Sequence, residues 1–402
     1  MKILLVNDHA SAHGGAETYF FNLAKLLKDN GHEVFGLSFS PSPAPEKAFP
    51  NLEIFTEKKN KLARDLRAFY YPTLTKYFGS FLNRHNFDVF HFQNIKKYSL
   101  PLLKVRKHFP NTKFIQTIHD SSYICETEWL VKDIGTLCPA GIGIKCLNKK
   151  CKLRHHTSSH SWLRYKYNVL AHSYIRRRAK NKMDSYIVPS QELKHKLAEH
   201  SFKNLHHLTN FIDLDNSEIA PLPDKPNILF VGRMVKSKGP QILLKAIKTL
   251  AENNSDFTAT FVGSGPMEKE LQDYANKNNL DNKVEFVGKV KHSELNNFYK
   301  NCSMVVIPSL VSENQPLVAL EAMNYGRAII GSRLGGLPDI ISENENGMLF
   351  SSGNALELSQ KLANILPARE KLTTWGKISK NIVQKKYSTH EHLKSLLEFY
   401  KS

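Results

Sequence analysis

Glu313 and Glu321 stand eight positions apart in residues 312–323, with Pro316 between them. This pattern predicts a loop turning into a helix, with Pro316 at the first helical position, where its missing N–H and fixed φ are compatible with the helix. The amides of Leu317, Val318 and Ala319 are then expected to face forward as an anion-binding helix end. Two carboxylates flanking a phosphate-ready terminus suit a ligand carrying both phosphate and hydroxyl groups, and a nucleotide sugar is such a ligand. Taken alone, a pair at this spacing fits a solvated surface helix equally well.

Other clusters follow apolar runs that read as strands. His119-Asp120 comes directly after residues 114–117. A strand-end histidine can donate a hydrogen bond to a hydroxyl and stabilise developing charge near neutral pH, although a lone histidine is more often a core residue. The run 228–231 leads into Gly232-Arg233-Met234-Val235-Lys236-Ser237-Lys238-Gly239, which sets Arg233 and Lys238 five apart in one loop, with Lys236 reading as its solvated member. In His13-Gly14-Gly15-Ala16-Glu17-Thr18 the paired glycines allow close backbone approach before a helix opens. Gly263 and Gly265 end another strand-like run, and Lys289 and Val290 follow a third. Simple turns look the same as each of these last three.

Together these segments resemble the retaining family 4 glycosyltransferases over nearly the whole chain. The match rests on Glu313-x7-Glu321, the Gly232-Arg233…Lys238-Gly239 loop, His119-Asp120 and Gly14-Gly15-Ala16-Glu17. The resemblance implies the GT-B fold, an α/β architecture of two Rossmann-like, doubly wound parallel-sheet domains facing across a cleft. It places Glu313 on sugar hydroxyls, Glu321 on the nucleotide ribose, His119 on the donor sugar, and Gly14 and Gly15 near the acceptor and donor phosphates. Arg233 and Lys238 would hold the leaving diphosphate, where fixed cations lower the transition state by several kcal/mol. The expected catalytic set is His119, Arg233, Lys238 and Glu313. The expected donor contacts are Gly14, Gly15, Gly232, Gly263, Gly265, Lys289, Val290, Leu317, Val318 and Glu321.

The implied reaction is retaining transfer of a sugar, of the hexosyltransferase class, from a UDP- or GDP-sugar to a hydroxyl acceptor. Front-face departure and attack is the favoured route, a covalent intermediate the other. No catalytic metal is expected: Asp213-Leu214-Asp215 looks like a metal-binding Asp-x-Asp, but it resembles the family's segment at the interdomain crossing. Three departures blur donor identity: Phe211 where Gly is usual, Arg327-Ala328 where x-Pro is expected after Gly326, and Asn314-Gln315 in place of Phe-Gly. A GT-B sugar-nucleotide epimerase is the alternative enzyme.

The chain of 402 residues, 41% hydrophobic and 23% charged, is long enough for two domains. Strand and helix patterns alternate twice over, as in parallel sheets covered on both faces. The expected division is an acceptor-binding domain over 1–215 with a Cys-rich insertion at about 121–156, a nucleotide-sugar domain over 216–385, and a C-terminal helix, 386–402, packing on the first domain. Residues 221–226, rich in proline, read as the linker. No window approaches the ~20 apolar residues of a membrane-spanning helix, and the N-terminus reads as a strand rather than a signal peptide. A cytoplasmic protein is expected.

The net charge of +19 is uneven, with 33 Lys and Arg against 18 Asp and Glu in residues 1–215 and 23 against 19 in the remainder. Nucleic acid and an anionic membrane surface both fit such a field, as does solubility charge without a partner. Much of the charge lies in residues 58–67, which run into Phe69-Tyr70-Tyr71-Pro72 and Tyr77-Phe78-Gly79-Ser80-Phe81, and in Arg176-Arg177-Arg178-Ala179-Lys180. Cations followed by aromatics suit a peripheral contact at the inner face of a membrane, with core aromatics the plainer reading. A lipid-linked glycan acceptor, as in surface polysaccharide or lipopolysaccharide assembly, would account for them. A nucleic-acid-binding module explains the charge but leaves Glu313, Glu321, Arg233 and Lys238 without a task.

Cys125, Cys138, Cys146 and Cys151 fall within 27 residues. Four close thiolates could hold a structural zinc, with His155 or His156 as a substitute ligand. The spacings lack the paired Cys-x2-Cys knuckles of a strong zinc signature, so disulfide pairs and unconnected thiols stay open.

Overall fold

Apolar runs bounded by Gly, Pro and Asn become the strands of two parallel sheets. The structure is a computed structural model that describes residues 1–8, 15–39, 52–54, 72–95, 102–125, 131–133, 136–138, 146, 162–253 and 255–401. The first sheet contains β1 (Lys2–Asn7), β2 (Glu33–Ser38), β3 (Leu52–Ile54), β4 (Val89–Phe92), β5 (Lys113–Thr117), β8 (Ser185–Val188) and β9 (Leu205–His207), with a small antiparallel hairpin, β6 (Val131–Asp133) and β7 (Thr136–Leu137), between β5 and β8 in sequence. Its order is β3-β2-β1-β4-β5-β8-β9. The second holds β10 (Asn227–Val231), β11 (Thr258–Val262), β12 (Val284–Gly288), β13 (Met304–Ile307), β14 (Ala328–Ser332) and β15 (Gly347–Phe350), in the order β12-β11-β10-β13-β14-β15. This is the doubly wound α/β architecture anticipated from sequence.

By contact density the chain forms two compact units. One contains residues 1–130, 139–209 and 392–402, the other 131–138 and 210–391. Central strands are apolar without alternation because helices cover both sheet faces. In β10, Ile228 and Phe230 join one buried cluster while Leu229 joins another, as the two-residue period of a strand requires.

Ligands of open α/β sheets bind beyond the carboxyl ends of strands where the winding direction reverses. The two orders place these reversals between β1 and β4 and between β10 and β13.

Helix Pro72–Asn83 corrects one expectation. Phe78 and Phe81 are fully buried, and Tyr77 packs against the same core, so these aromatics serve the first unit's interior rather than a membrane. Residues 58–67 and 69–71 lie outside the described residues.

From His392 onward the last helix, Thr389–Lys401, belongs to the first unit and is fastened there by buried polar contacts. Tyr19 Oη lies 2.9 Å from His392 Nε2, His392 Nδ1 2.8 Å from the Thr209 carbonyl, and His91 Nδ1 2.7 Å from Tyr400 Oη. A carbonyl only accepts, so His392 donates through Nδ1 and takes the Tyr19 proton on Nε2. Burial lowers His91 to about 3 and His392 to about 4, leaving both neutral near pH 7.

Candidate active site

In the second unit the loops leaving β10 and β13 meet at the winding reversal. The Leu310 amide donates to Ser237 O at 2.8 Å. A Cβ at Gly239, whose φ is +73°, would fall 1.9 Å from Pro308 O, so only glycine lets the β10 loop approach the end of β13 this closely. That approach delivers Lys238 to Glu313, and the two form an ion pair. Ser309 Oγ donates to the other Glu313 oxygen, and the Gly336 amide caps the Glu313 carbonyl at 2.7 Å. The Glu313 side chain is only 13% exposed, against 31% for Lys238, so one carboxylate is held nearly out of water by a cation and a hydroxyl.

Helix Leu317–Asn324 starts one residue later than expected. Pro316 has ψ 119° and is the N-cap, outside the helix, and its carbonyl accepts from the Ala319 amide at 3.0 Å. The forward-facing amides are therefore those of Leu317 and Val318, both half-buried, and Ala319 leaves the set.

Glu321 lies on the same helix. Tyr299 Oη donates to it at 2.6 Å, and His292 Nε2 sits 3.2 Å from its other oxygen. Burial and the adjacent Glu321 charge push the Tyr299 phenol well above its ordinary range, so it remains a donor. The hydrogen bond to Glu321 raises His292 above the usual histidine value, against partial burial. Both partners come from helix His292–Lys300. Arg327 locks that helix: 1% exposed, it donates Nε to Tyr299 O at 2.7 Å and Nη2 to Lys300 O at 2.6 Å. A guanidinium on the last carbonyls of a helix satisfies orphan acceptors and favours the helix dipole. Arg327, the residue before Ala328 where the proline was expected, thus has a structural role of its own.

The remaining expected positions divide by location. Gly232, Gly263 and Gly265 lie together at the strand ends: Gly232 N donates to Val262 O at 3.0 Å, Gly263 N to Gly288 O at 2.8 Å, and Met234 N to Ser264 O at 2.9 Å. Arg233 projects into solvent and makes no ion pair among the described residues, Lys236 and Lys289 are exposed, and Val290 packs partly against the apolar cluster under the helix. In the first unit His119 Nε2 lies 2.7 Å from Gln93 Oε1, with the Tyr19 ring edge-on at 5.0 Å. Asp120 instead caps the following turn through Ser122 N at 2.8 Å. Gly15 is exposed at the start of helix Gly15–Asp29, and Gly14 lies outside the described residues.

Asp215 bonds Ser217 N at 2.7 Å and pairs with Lys300 at 3.8 Å, which accounts for it structurally. Among the described residues no three His, Cys, Asp or Glu side chains gather as a metal site, so Cys125, Cys138 and Cys146 are not brought together as a set. Cys151 is outside the described residues. Phe211 is buried, and Gln315 Oε1 accepts from Asn210 N, so the Gln315 departure holds the backbone at residue 210.

Ser309, His292, Tyr299 and Arg327 were not singled out from sequence. Arg327 alone was named there, as the first residue of Arg327-Ala328, where x-Pro was expected.

Residues 13–216 match the family model Glycosyltransferase Family 4, and residues 213–382 match Glycosyl transferases group 1. An uncharacterized glycosyltransferase of Methanocaldococcus jannaschii is 30% identical over 234 residues, 58% of this chain and 64% of its own length. The spore coat protein SA of Bacillus subtilis is 30% identical over 186 residues, 44% of this chain and 49% of its own. The chain thus spans about half to two thirds of these two relatives. Among solved structures, Anabaena HepE in complex with UDP superposes with a TM-score of 0.73 at 18% identity, covering 100% of both chains. The lipopolysaccharide outer core galactosyltransferase WaaB, in its apo form, gives 0.74 at 16% identity, covering 99% of both. At these identities the two structures establish the fold.

Proposed function

The chain belongs to glycosyltransferase family 4, and we propose that it is a retaining glycosyltransferase moving a sugar from a nucleoside diphosphate sugar to a hydroxyl of a glycan acceptor. The observation that carries this reading is the Lys238–Glu313 pair at the winding reversal of the second sheet, ahead of a helix that also holds Glu321 between Tyr299 and His292. A cation, a shielded carboxylate, two forward amides and a second oriented carboxylate match the groups of such a donor in kind.

In this reading the amides of Leu317 and Val318 and the cations of Arg233 and Lys238 hold the diphosphate. Glu321 accepts hydrogen bonds from the ribose hydroxyls, and Glu313 orients the sugar while keeping Lys238 in place. Gly232, Gly263 and Gly265 let backbone approach the nucleotide, with Lys289 and Val290 beside the base. The bond from the anomeric carbon to the diphosphate oxygen breaks, and the acceptor oxygen bonds to that carbon on the same face. The acceptor proton passes to the departing phosphate oxygen, so charge and atoms balance. Negative charge grows on the diphosphate, which is where preorganised cations and amides lower the barrier most. His119 is assigned to a donor sugar hydroxyl, with Gln93 fixing its ring.

HepE binds UDP and WaaB is a lipopolysaccharide galactosyltransferase by name, so a UDP-sugar is the first donor to test, ahead of a GDP-sugar, with a lipid-linked surface glycan as acceptor. That acceptor would place the protein at the inner face of a membrane as a peripheral enzyme. Among the described residues no helix is long and apolar enough to cross one.

The test is a transfer assay with nucleotide sugars and lipid diphosphate-linked acceptors, the product's anomeric configuration being read by proton NMR. A product with the donor's configuration is expected. An inverted product contradicts retention, and release of an isomerised nucleotide sugar without glycan would make the protein an epimerase.

A further inference from the structure

We propose that a basic pocket at the amino edge of the first sheet seats the phosphate headgroup of an anionic bilayer lipid, with Leu170 and Tyr174 entering the membrane interface beside it. The pocket has a volume of about 1040 Å³ and is lined by Lys104, Arg106, Lys107, Arg178 and Lys182 together with Tyr174. Its wall includes Pro110 and Lys182, which lie three residues before β5 and β8, whereas His119 follows the far end of β5. Five strand residues at ~3.3 Å each put roughly 16 Å between the two ends, so this pocket is separate from the catalytic edge of the same sheet.

Three of the five cations, Lys107, Arg178 and Lys182, are without an ion pair among the described residues. The pocket's neighbouring carboxylate, Asp184, is taken up by the ion pair with Arg106 and by the Phe114 amide at 2.9 Å. Arg178 lies over the Tyr174 ring, 5.5 Å from its centroid.

An apolar stripe adjoins these cations. Leu170, Tyr174 and Arg178 recur every four residues on helix Trp162–Ala179, which puts them on one face. Leu170 is 53% and Tyr174 48% exposed, two of the three large hydrophobic side chains left in water among the described residues. A soluble polyanion or a nucleic acid would engage the cations and leave Leu170 without a partner. A bilayer gives each group a place: phosphates for the cations, the headgroup boundary for tyrosine, acyl chains for leucine. The charge complementarity is that of an anionic leaflet.

This inference requires neither donor nor transfer, so it can fail while the transferase reading stands, and the reverse. The full chain is floated with phosphatidylcholine vesicles with and without phosphatidylglycerol. Binding is expected only with the anionic lipid and should weaken as salt rises. The double variant Lys107→Ala/Lys182→Ala should lower partitioning roughly thirtyfold, at about fivefold for each cation, and Leu170→Ser/Tyr174→Ser should also lower it. Leu356→Ser, an exposed leucine in the other unit, should leave it unchanged. Melting curves identify any misfolded variant, and Lys104→Gln/Arg178→Gln then reads the same surface.

Equal binding to neutral vesicles, or undiminished binding by the cation variants, overturns the proposal. Undiminished binding by Leu170→Ser/Tyr174→Ser, with displacement of the vesicles by a single-stranded oligonucleotide, assigns the surface to soluble polyanions and also overturns it.

Discussion

The two sheets reverse their winding in the same way, between β1 and β4 and between β10 and β13, yet they furnish the adjoining strand ends differently. At the second reversal, backbone approach at Gly239 brings a cation onto a shielded carboxylate. Around β4 and β5 of the first, His91, His392, Tyr19 and Tyr400 are neutral groups buried in hydrogen bonds, and His119 leans on the amide of Gln93. One architecture thus offers a preorganised ion pair in one unit and a buried network of neutral histidines and tyrosines in the other. Charge suits a diphosphate leaving group; neutral polar groups suit hydroxyls. The difference supports the proposed reading, in which the second unit takes the diphosphate and the first meets hydroxyls, on grounds other than fold, which alone carries no function.

The comparison breaks most visibly if the charged site is dispensable. Glu313→Gln keeps the shape but removes the charge that holds Lys238, and transfer should fall by about 10²–10³-fold, the scale of losing one oriented electrostatic group. Melting within a few degrees of the parent would separate this from unfolding. A full-rate variant would move the chemistry elsewhere.

Gly239→Ala probes the close approach itself. The added Cβ meets Pro308 O at 1.9 Å in a left-handed backbone, so urea unfolding should show a loss of at least ~2 kcal/mol. Gly31 has a similar φ, +80°, but nothing within 4 Å of an added Cβ. Gly31→Ala should therefore lose only the ~1 kcal/mol of backbone strain.

The neutral network makes a pH prediction for the first unit. His91 and His392 have folded values of about 3 and about 4, below the ~6.5 of an unfolded histidine. Below pH ~6.5 the unfolded chain binds more protons, so stability falls as pH drops, by roughly 1.4 kcal/mol per pH unit for each histidine until its folded value is reached. Unfolding titrations at pH 7 and 5.5 measure the slope, and His392→Gln should flatten it.

The smallest expected effect has the opposite sign. His292 is raised by Glu321, so its contribution is complete below the unfolded histidine value and is lost as pH rises through the raised one. Its side chain is 75% exposed, and His292→Ala should cost little and only at low salt.

Much of this was legible in the chain. Period and strand length identified both sheets, and the glycines and cations after β10, like the glutamates after β13, sat where strand ends must lie. What was not legible came from contacts distant in sequence. Tyr299 and His292 reach Glu321 because Arg327 anchors their helix, and no local pattern pairs residues from separate helices. Pro316 was misplaced by one residue because proline tolerates both the N-cap and the first helical position; its extended ψ decided between them. The aromatics of helix Pro72–Asn83 misled for a related reason: composition cannot tell an inward from an outward helix face when cations precede it.

The central claim is that the second unit holds the nucleotide through Glu321. Calorimetric titration with UDP, and in parallel GDP, of the parent and Glu321→Ala tests it directly. Hydrogen bonds to a charged group contribute ~1.5–3 kcal/mol, so the variant should bind the preferred nucleotide about 10–150-fold more weakly. Equal dissociation constants for parent and variant, or no binding of either nucleotide to the parent, would contradict it.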